Sequence, residues 1–176
     1  MTLRYEETVI LNVLYQSPDM GKTAVMKVLF ILQQVKGINL GYDFSIYTYG
    51  PYCSDITEDV DGLISRNLIT SSMYPYQNYI GYKLNVTDIW KNNIKQLQNQ
   101  ENEALSDVLN FVNGKSAKDL ELYSTIIYVD SLYSKNNWKK AATSIVKKIK
   151  ELKPHFEETT INDAYETLLQ INYLHV

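Results

Sequence analysis

The residues with the most obvious capacity for chemistry are a Gly-Lys-Thr run, one cysteine and two histidines. Gly21-Lys22-Thr23 matches the end of a phosphate-binding loop, but that motif needs a glycine five residues earlier, where Gln16 stands. Cys53 lies at a predicted helix start, which can lower a thiol pKa, although a small buried thiol is the commoner use of a free cysteine. His155 and His175 do not have metal-ligand spacing. The sequence therefore predicts no enzyme, no metal site and no cofactor, and its single cysteine excludes an internal disulfide.

Tyrosine is the unusual component of this chain, with 15 tyrosines among 176 residues. Tyrosine offers a large apolar ring with a polar tip, and it is enriched at the energetically important positions of interfaces. A proline beside such residues fixes the backbone and limits the entropy lost on docking. The candidate partner-binding residues are Tyr47, Tyr49, Pro51, Tyr52, Tyr76 and Tyr79. The alternative is that these tyrosines pack at the edge of the core with their hydroxyls at the surface.

A second candidate surface is basic. Between Lys135 and Lys153 there are seven lysines and one carboxylate, Glu151. If Trp138 and Ile145 face inward on a helix, a basic face is formed by Lys139, Lys140, Lys147, Lys148 and Lys150. Such a face could bind nucleic acid or an acidic protein, or it could simply be solvated, as exposed lysines on helices commonly are.

The tyrosines and lysines must be positioned by elements that the apolar pattern predicts. A helix is expected over about 3–16, and nine of the thirteen residues 23–35 are apolar, which predicts a helix surrounded by the rest of the domain. Alternation over 44–49 predicts a strand, apolar residues over 54–66 recur at helical spacing, and 69–73 with 79–84 read as a hairpin. This order is that of a winged helix with the hairpin as its wing, and we expect the strand at 44–49 to be the third strand of the wing sheet.

From residue 87 the pattern is helical. Ser116 and Asp119 form a capping-box pair before a helix with two apolar faces, which predicts a central helix in the second half. Asn137 is expected to cap the lysine-rich helix, and Thr160 with Asp163 to open the last one. The predicted fold is α+β and mostly α-helical, in a single domain over 1–176. A winged-helix-like part with a small antiparallel sheet covers 1–86, and a helical part packed on it covers 87–176.

The helix in the recognition position carries the wrong charge for duplex DNA. With Ile56 facing the core, its outer side is predicted to bear Asp55, Glu58, Asp59 and Asp61. Phosphates on both sides of a groove would repel these carboxylates, so nucleic-acid binding is not favoured.

The totals point to a cytoplasmic protein. The net charge is −3, which gives no general attraction to nucleic acid or anionic membranes. No uncharged apolar run reaches the roughly 18 residues of a membrane span, because Lys27 and Lys36 interrupt the best candidate. The first seven residues lack the basic-then-apolar pattern of a signal peptide.

Several short motifs, taken in their order and spacing, resemble those of the YwgA-like bacterial proteins, which are related to the Panacea domain of SocA-type antitoxins. The motifs are Gly21-Lys22-Thr23, the run from Tyr47 to Tyr52, Asp61-Gly62-Leu63, Asn67-Leu68-Ile69, the run from Ser116 to Thr125, and Lys153-Pro154. The resemblance covers most of the chain, implies neutralisation of a toxin by binding and brings no catalytic residues with it.

The functional prediction is a non-enzymatic protein-interaction module, an antitoxin or adaptor of this type. Its partner would be another protein, such as a toxin or a protein-degradation or defence component, and self-association is left open. The alternative is a DNA-binding winged-helix regulator that uses the wing and the lysine helix, and an unrecognised enzyme ranks third.

Overall fold

The computed structural model describes residues 2–76, 79–138 and 141–175. Its helices are α1 (Tyr5–Gln16), α2 (Lys22–Gln34), α3 (Ser54–Ser65), α4 (Asp88–Lys91), α5 (Asn99–Val112), α6 (Ala117–Lys135), α7 (Ala142–Leu152) and α8 (Glu158–Gln170). Its strands are β1 (Ser45–Tyr47), β2 (Gly50–Tyr52), β3 (Ile69–Tyr76) and β4 (Tyr79–Val86). The predicted class, α+β and mostly helical, is confirmed. Within the described ranges, no helix has the length and apolar character needed to cross a membrane.

The most deeply buried helix is α2. Every residue from Val25 to Leu32 is buried, including Lys27, so the prediction of a helix surrounded by the domain is confirmed. One side of α2 packs on α1, and other sides pack on α5 and α6. The parts predicted at 1–86 and 87–176 therefore meet along this helix.

The wing is the hairpin of β3 and β4, which pair antiparallel from Ile69↔Val86 to Tyr76↔Tyr79. Gly81 leaves room there for the ring of Tyr74 on the facing strand, because a Cβ at Gly81 would lie 2.6 Å from that ring. The order of α1, α2, α3 and a hairpin agrees with the predicted winged-helix order, but two strands, β1 and β2, lie between α2 and α3 where one was predicted.

The expectation that the strand near 44–49 joins the wing sheet is wrong. β1 instead turns back on itself through Thr48 and Tyr49 and pairs with β2, with Tyr47 opposite Gly50. Gly50 comes directly after this two-residue turn and has φ +89°, a conformation that glycine adopts without steric cost. We call residues 45–52 the tyrosine hairpin.

The second half is built around α6, which is buried on two faces and packs against α2, α7 and α8, as predicted. Its start is the predicted capping box: the Asp119 amide donates to Ser116 Oγ at 3.1 Å, and the Ser116 amide donates to an Asp119 carboxylate oxygen at 2.9 Å.

Two helix starts differ from prediction. α7 begins at Ala142 rather than after Asn137, and α8 begins at Glu158, ahead of Thr160. Trp138 does not face inward from α7: it is 52% exposed, precedes the helix and packs its ring edge-on against Tyr133 at 5.3 Å.

Candidate functional site

An open cavity of about 330 Å³ lies between α2, α3 and the tyrosine hairpin. Its apolar lining comes from Met26 of α2, from Ile56 and Val60 of α3, and from Tyr47, Tyr49 and Tyr52 of the hairpin. A concave, mainly apolar pocket of this size with a few polar groups is the usual form of a binding site. We call it the tyrosine cavity.

The hairpin places two aromatic rings at the solvent-facing edge of the cavity. Tyr47 is 64% exposed and Tyr49 is 69% exposed, whereas Tyr52 is half-buried. The Tyr47 and Tyr52 rings lie 5.3 Å apart at 48°, and the Tyr52 hydroxyl is 3.4 Å from Thr57 Oγ1 on α3. The rings of Tyr47 and Tyr49 are thus exposed to solvent and not packed in the core, which leaves them accessible to a binding partner.

Two buried lysines hold the hairpin backbone from below. Lys27 is 2% exposed, and its ammonium donates to the Pro51 carbonyl at 2.6 Å. Lys153, at the end of α7, donates to the Tyr47 carbonyl at 2.9 Å and also to the Thr48 carbonyl. Hydrogen bonds from a charged donor are stronger than those between neutral groups, so the turn is firmly tied to α2 and α7.

The counter-charge for this pair of lysines is a single buried carboxylate on α6. Glu121 Oε1 lies 2.9 Å from Lys153 Nζ and 3.3 Å from Nε2 of the half-exposed His155. Burial, together with the charge of Lys153, lowers the pKa of Lys27 to about 8, and the charge of Glu121 opposes this shift. Among the described residues, Lys27 is therefore a buried cation without a carboxylate of its own.

The hairpin also lies directly on α6, because of Gly50. A Cβ at this position would lie 3.0 Å from Ser124 Oγ and 3.3 Å from the Glu121 carbonyl. The absence of a side chain therefore lets the turn approach α6 closely at this position.

The structure brings together four of the six residues predicted to bind a partner. Tyr47, Tyr49 and Tyr52 line one cavity, and Pro51 is buried behind them with its carbonyl on Lys27. Tyr76 and Tyr79 pair with each other at the tip of the wing through their backbones. Their side chains lie outside the described part of the chain, and the separate pairing of the two hairpins removes the shared sheet that was expected to join them to the others.

Three of the five lysines of the predicted basic face, Lys147, Lys148 and Lys150, lie in the described part of the chain. Lys139 and Lys140 lie outside the described residues. Lys147 is exposed on α7, as predicted, and Lys148 is 3.6 Å from Glu151.

Lys150 is engaged in closing the turn after α7 rather than facing solvent freely. Its ammonium donates to the Pro154 carbonyl at 3.0 Å and to the Phe156 carbonyl at 2.5 Å. A lysine near a helix C-terminus commonly satisfies such carbonyls.

The prediction that Asp59 lies on the outer side of α3 is wrong. Asp59 is 7% exposed, accepts a hydrogen bond from the Tyr42 hydroxyl at 2.7 Å, and is ion-paired with Arg4. It follows Ile56 by three residues and precedes Leu63 by four, which places it on the inward side of the helix. The other three predicted carboxylates of α3 remain exposed.

The structure places the cysteine and the lysine of the Gly-Lys-Thr run. Cys53 is a free, buried thiol at the N-cap of α3, as the commoner use of cysteine suggests. Lys22, of the Gly-Lys-Thr run, is ion-paired with Asp61 at 2.8 Å. Within the described residues, no group of three or more histidine, cysteine, aspartate or glutamate side chains could hold a metal ion.

Sequence reasoning missed the buried charges under the hairpin. One signal was present for Lys27, which is the only charged residue between Thr23 and Val35 in the most apolar helix. A lysine in such a place requires a buried acceptor. Nothing local pointed to Glu121 or Lys153, since their contacts depend on how α6 and α7 pack.

A scan of the chain against protein-family models finds no match, and a search of curated proteins finds no similar sequence. The resemblance to YwgA-like proteins therefore stands on its motifs alone, and the tyrosine cavity is the main support for a function.

Proposed function

We propose that this chain is a non-enzymatic protein-interaction module that binds a partner at the tyrosine hairpin and the cavity beside it. The observation that carries the proposal is the pair of exposed rings, Tyr47 and Tyr49, at the edge of a mainly apolar cavity of about 330 Å³. A partner side chain entering the cavity would also cover both rings, so burial of apolar surface drives association.

The hairpin is preorganised for this role. Lys27 and Lys153 bond three of its carbonyls, and Gly50 seats it against α6. A surface that is already ordered loses less conformational entropy on binding, so more of the contact energy remains as affinity.

The proposed partner is a protein, in the manner of an antitoxin or adaptor related to Panacea proteins. Support comes from the run between Tyr47 and Tyr52, which belongs to the resembling motifs and also forms one wall of the cavity. A toxin, or a protein-degradation or defence component, would then be held by its apolar side chains.

Duplex recognition has less support. The exposed face of α3 carries Asp55, Glu58 and Asp61, and a helix lying between two rows of phosphates would bring these carboxylates close to like charge. The lysine-rich helix α7 adds little positive charge for binding phosphates, because Lys150 bonds two carbonyls of the turn after α7 and Lys148 lies 3.6 Å from Glu151.

The experiment is capture of the partner from the native host by the wild-type chain and by the double variant Tyr47→Ala, Tyr49→Ala. Tyr15→Ala is the matched control, since Tyr15 is an exposed tyrosine on α1. We expect the double variant to lose about 2 kcal/mol or more of binding free energy, a loss of roughly 30-fold in affinity, as central anchor residues do.

The control should bind like wild type, and the unfolding midpoint of the double variant should change little, because both rings are exposed. Equal recovery of one partner by wild type and the double variant would show that the tyrosines are not the binding surface.

A further inference from the structure

We propose that the tyrosine cavity recognises the C-terminal residue of its partner, with an apolar side chain against the tyrosines and the terminal carboxylate on Lys27. This inference rests on the proposed function, since it specifies which part of a partner protein enters the cavity.

The charge of the cavity lining favours an anion. Two of the described lining residues, Lys22 and Lys27, are cationic, and none is a carboxylate. Lys22 is partly exposed and paired with Asp61 at 2.8 Å, so its charge is already compensated. Lys27 is buried, and the carboxylate behind it, Glu121, lies 2.9 Å from Lys153. Two buried ammonium groups and one buried carboxylate leave one positive charge in excess.

Lys27 also has hydrogen-bonding capacity to spare. An ammonium carries three donors, and within the described chain the Lys27 ammonium makes one hydrogen bond, to the Pro51 carbonyl. A buried charge with unused donors is unfavourable unless an anion approaches, and burial lowers the pKa of Lys27 to about 8 for that reason. A carboxylate on this ammonium would accept a charge-assisted hydrogen bond and neutralise the excess charge.

The charge and the apolar lining of the cavity favour a carboxylate over a phosphate. One excess positive charge matches a monoanion, whereas a phosphate monoester carries a charge of about −1.5 to −2 at neutral pH. The mainly apolar lining, with tyrosines on one wall and Met26, Ile56 and Val60 on the others, accommodates an aliphatic or aromatic body.

A chain terminus suits the cavity better than a chain that passes through it. A C-terminal residue carries its side chain and its carboxylate on one Cα, so both fit into about 330 Å³ while the preceding residues leave past the exposed Tyr47 and Tyr49. A continuing chain would bury peptide groups beside apolar walls that offer them few partners.

The test uses the pentapeptides Gly-Ser-Gly-Ser-Phe and Gly-Ser-Gly-Ser-Leu, each with a free carboxylate and as a C-terminal amide, titrated into the folded chain by NMR. Wild type should bind at least one free acid about tenfold or more tightly than its amide. Lys27→Gln should abolish this preference while keeping a donor for Pro51, and Lys22→Gln should retain it. A denaturant midpoint for each variant establishes that both lysine variants are folded.

The inference would be overturned by equal binding of acid and amide, by no binding of either acid at millimolar concentration, or by an unchanged preference in Lys27→Gln. A C-terminal amide peptide with an internal aspartate after phenylalanine tests whether a side-chain carboxylate can replace the chain terminus. If it binds as tightly as the free acid, the assignment of the cavity to a C-terminal residue is overturned. Loss of partner capture in the tyrosine double variant, together with any of these results, would leave the proposed function standing. Capture that the tyrosine variants do not affect would remove the proposed function itself.

Discussion

Replacing Lys27 with glutamine should change how the stability of the protein depends on pH. In the folded chain the pKa of Lys27 is about 8, against an ordinary value of 10.5, mainly because the ammonium is buried. Between these two values the unfolded chain binds more protons than the folded chain, so stability contributed by Lys27 rises with pH. Below about pH 8 both states hold the proton, and the penalty for burying the charge is fully present.

The magnitude follows from the size of the shift. At 1.36 kcal/mol per pKa unit, a fall from 10.5 to about 8 corresponds to about 3 kcal/mol of destabilisation near neutral pH. Raising the pH from about 7 to about 9.5 should remove about 2 kcal/mol of this destabilisation. Between the folded-state and unfolded-state pKa values, each pH unit reduces the penalty for burying the charge by about 1.36 kcal/mol. Lys27→Gln removes the titrating group but retains a donor near the Pro51 carbonyl.

The assay is denaturant unfolding of wild type and Lys27→Gln at several pH values over this window. The free energy of unfolding of wild type, relative to the variant, should increase by about 2 kcal/mol across it. Leu29→Ala is the control, since its difference from wild type involves no titrating group and should stay constant. A wild-type advantage that is flat within about 0.5 kcal/mol, or that falls with pH, would refute the picture of Lys27 as a buried cation without a carboxylate partner.

Three further predictions test the fold and the charge of α3. Leu29→Ala should lower the free energy of unfolding by about 2–5 kcal/mol through lost burial and a cavity. Lys147→Ala, at an exposed position of α7, should change it by no more than about 0.5 kcal/mol, and equal denaturant midpoints for the two variants would contradict the central position of α2. Gly37→Ala should lower the free energy of unfolding by about 1–2 kcal/mol through left-handed backbone strain. Gly50→Ala should lower it by more, because at Gly50 the added Cβ also meets α6, and similar unfolding free energies for the two variants would argue against the close approach. Random duplex DNA, titrated at two salt concentrations, should bind more weakly than the roughly 10⁻⁴ to 10⁻⁶ M of non-specific binders at physiological salt, and tight salt-sensitive binding would support the DNA-binding alternative.

Features encoded by local pattern could be predicted from the sequence. The density of apolar residues in 23–35 identified α2 as a helix buried on all sides, and two apolar faces identified α6 as central. The Ser116–Asp119 capping box was recognisable because all its atoms lie within one turn. Alternation over 44–49 predicted a strand, and β1 forms there at Ser45–Tyr47.

Features that depend on distant packing could not be predicted. The pairing of β1 depends on whether the chain reverses at Thr48–Tyr49 or continues to the wing, and both choices satisfy the same alternation. Asp59 was assigned to the outer side of α3, although its spacing from Ile56 and Leu63 places it inward. Its partners Arg4 and Tyr42 are far away in sequence and could not be predicted. The lysine support of the hairpin is of the same kind, since Lys153 lies 106 residues after the Tyr47 carbonyl that it bonds.

The bond between Lys153 and the tyrosine hairpin also sets an order of events during synthesis. The Thr48 carbonyl is made 105 residues before the lysine that bonds it, which corresponds to roughly 5–20 s at ribosomal rates of about 5–20 residues per second. During that interval α2 and the wing can form, but Lys153 has not yet been synthesised and cannot bond the turn. The wall of the tyrosine cavity is therefore completed late, and a nascent chain that stops before Lys153 would expose its tyrosines on a turn that lacks these two bonds. Partner binding should accordingly be a property of the finished chain.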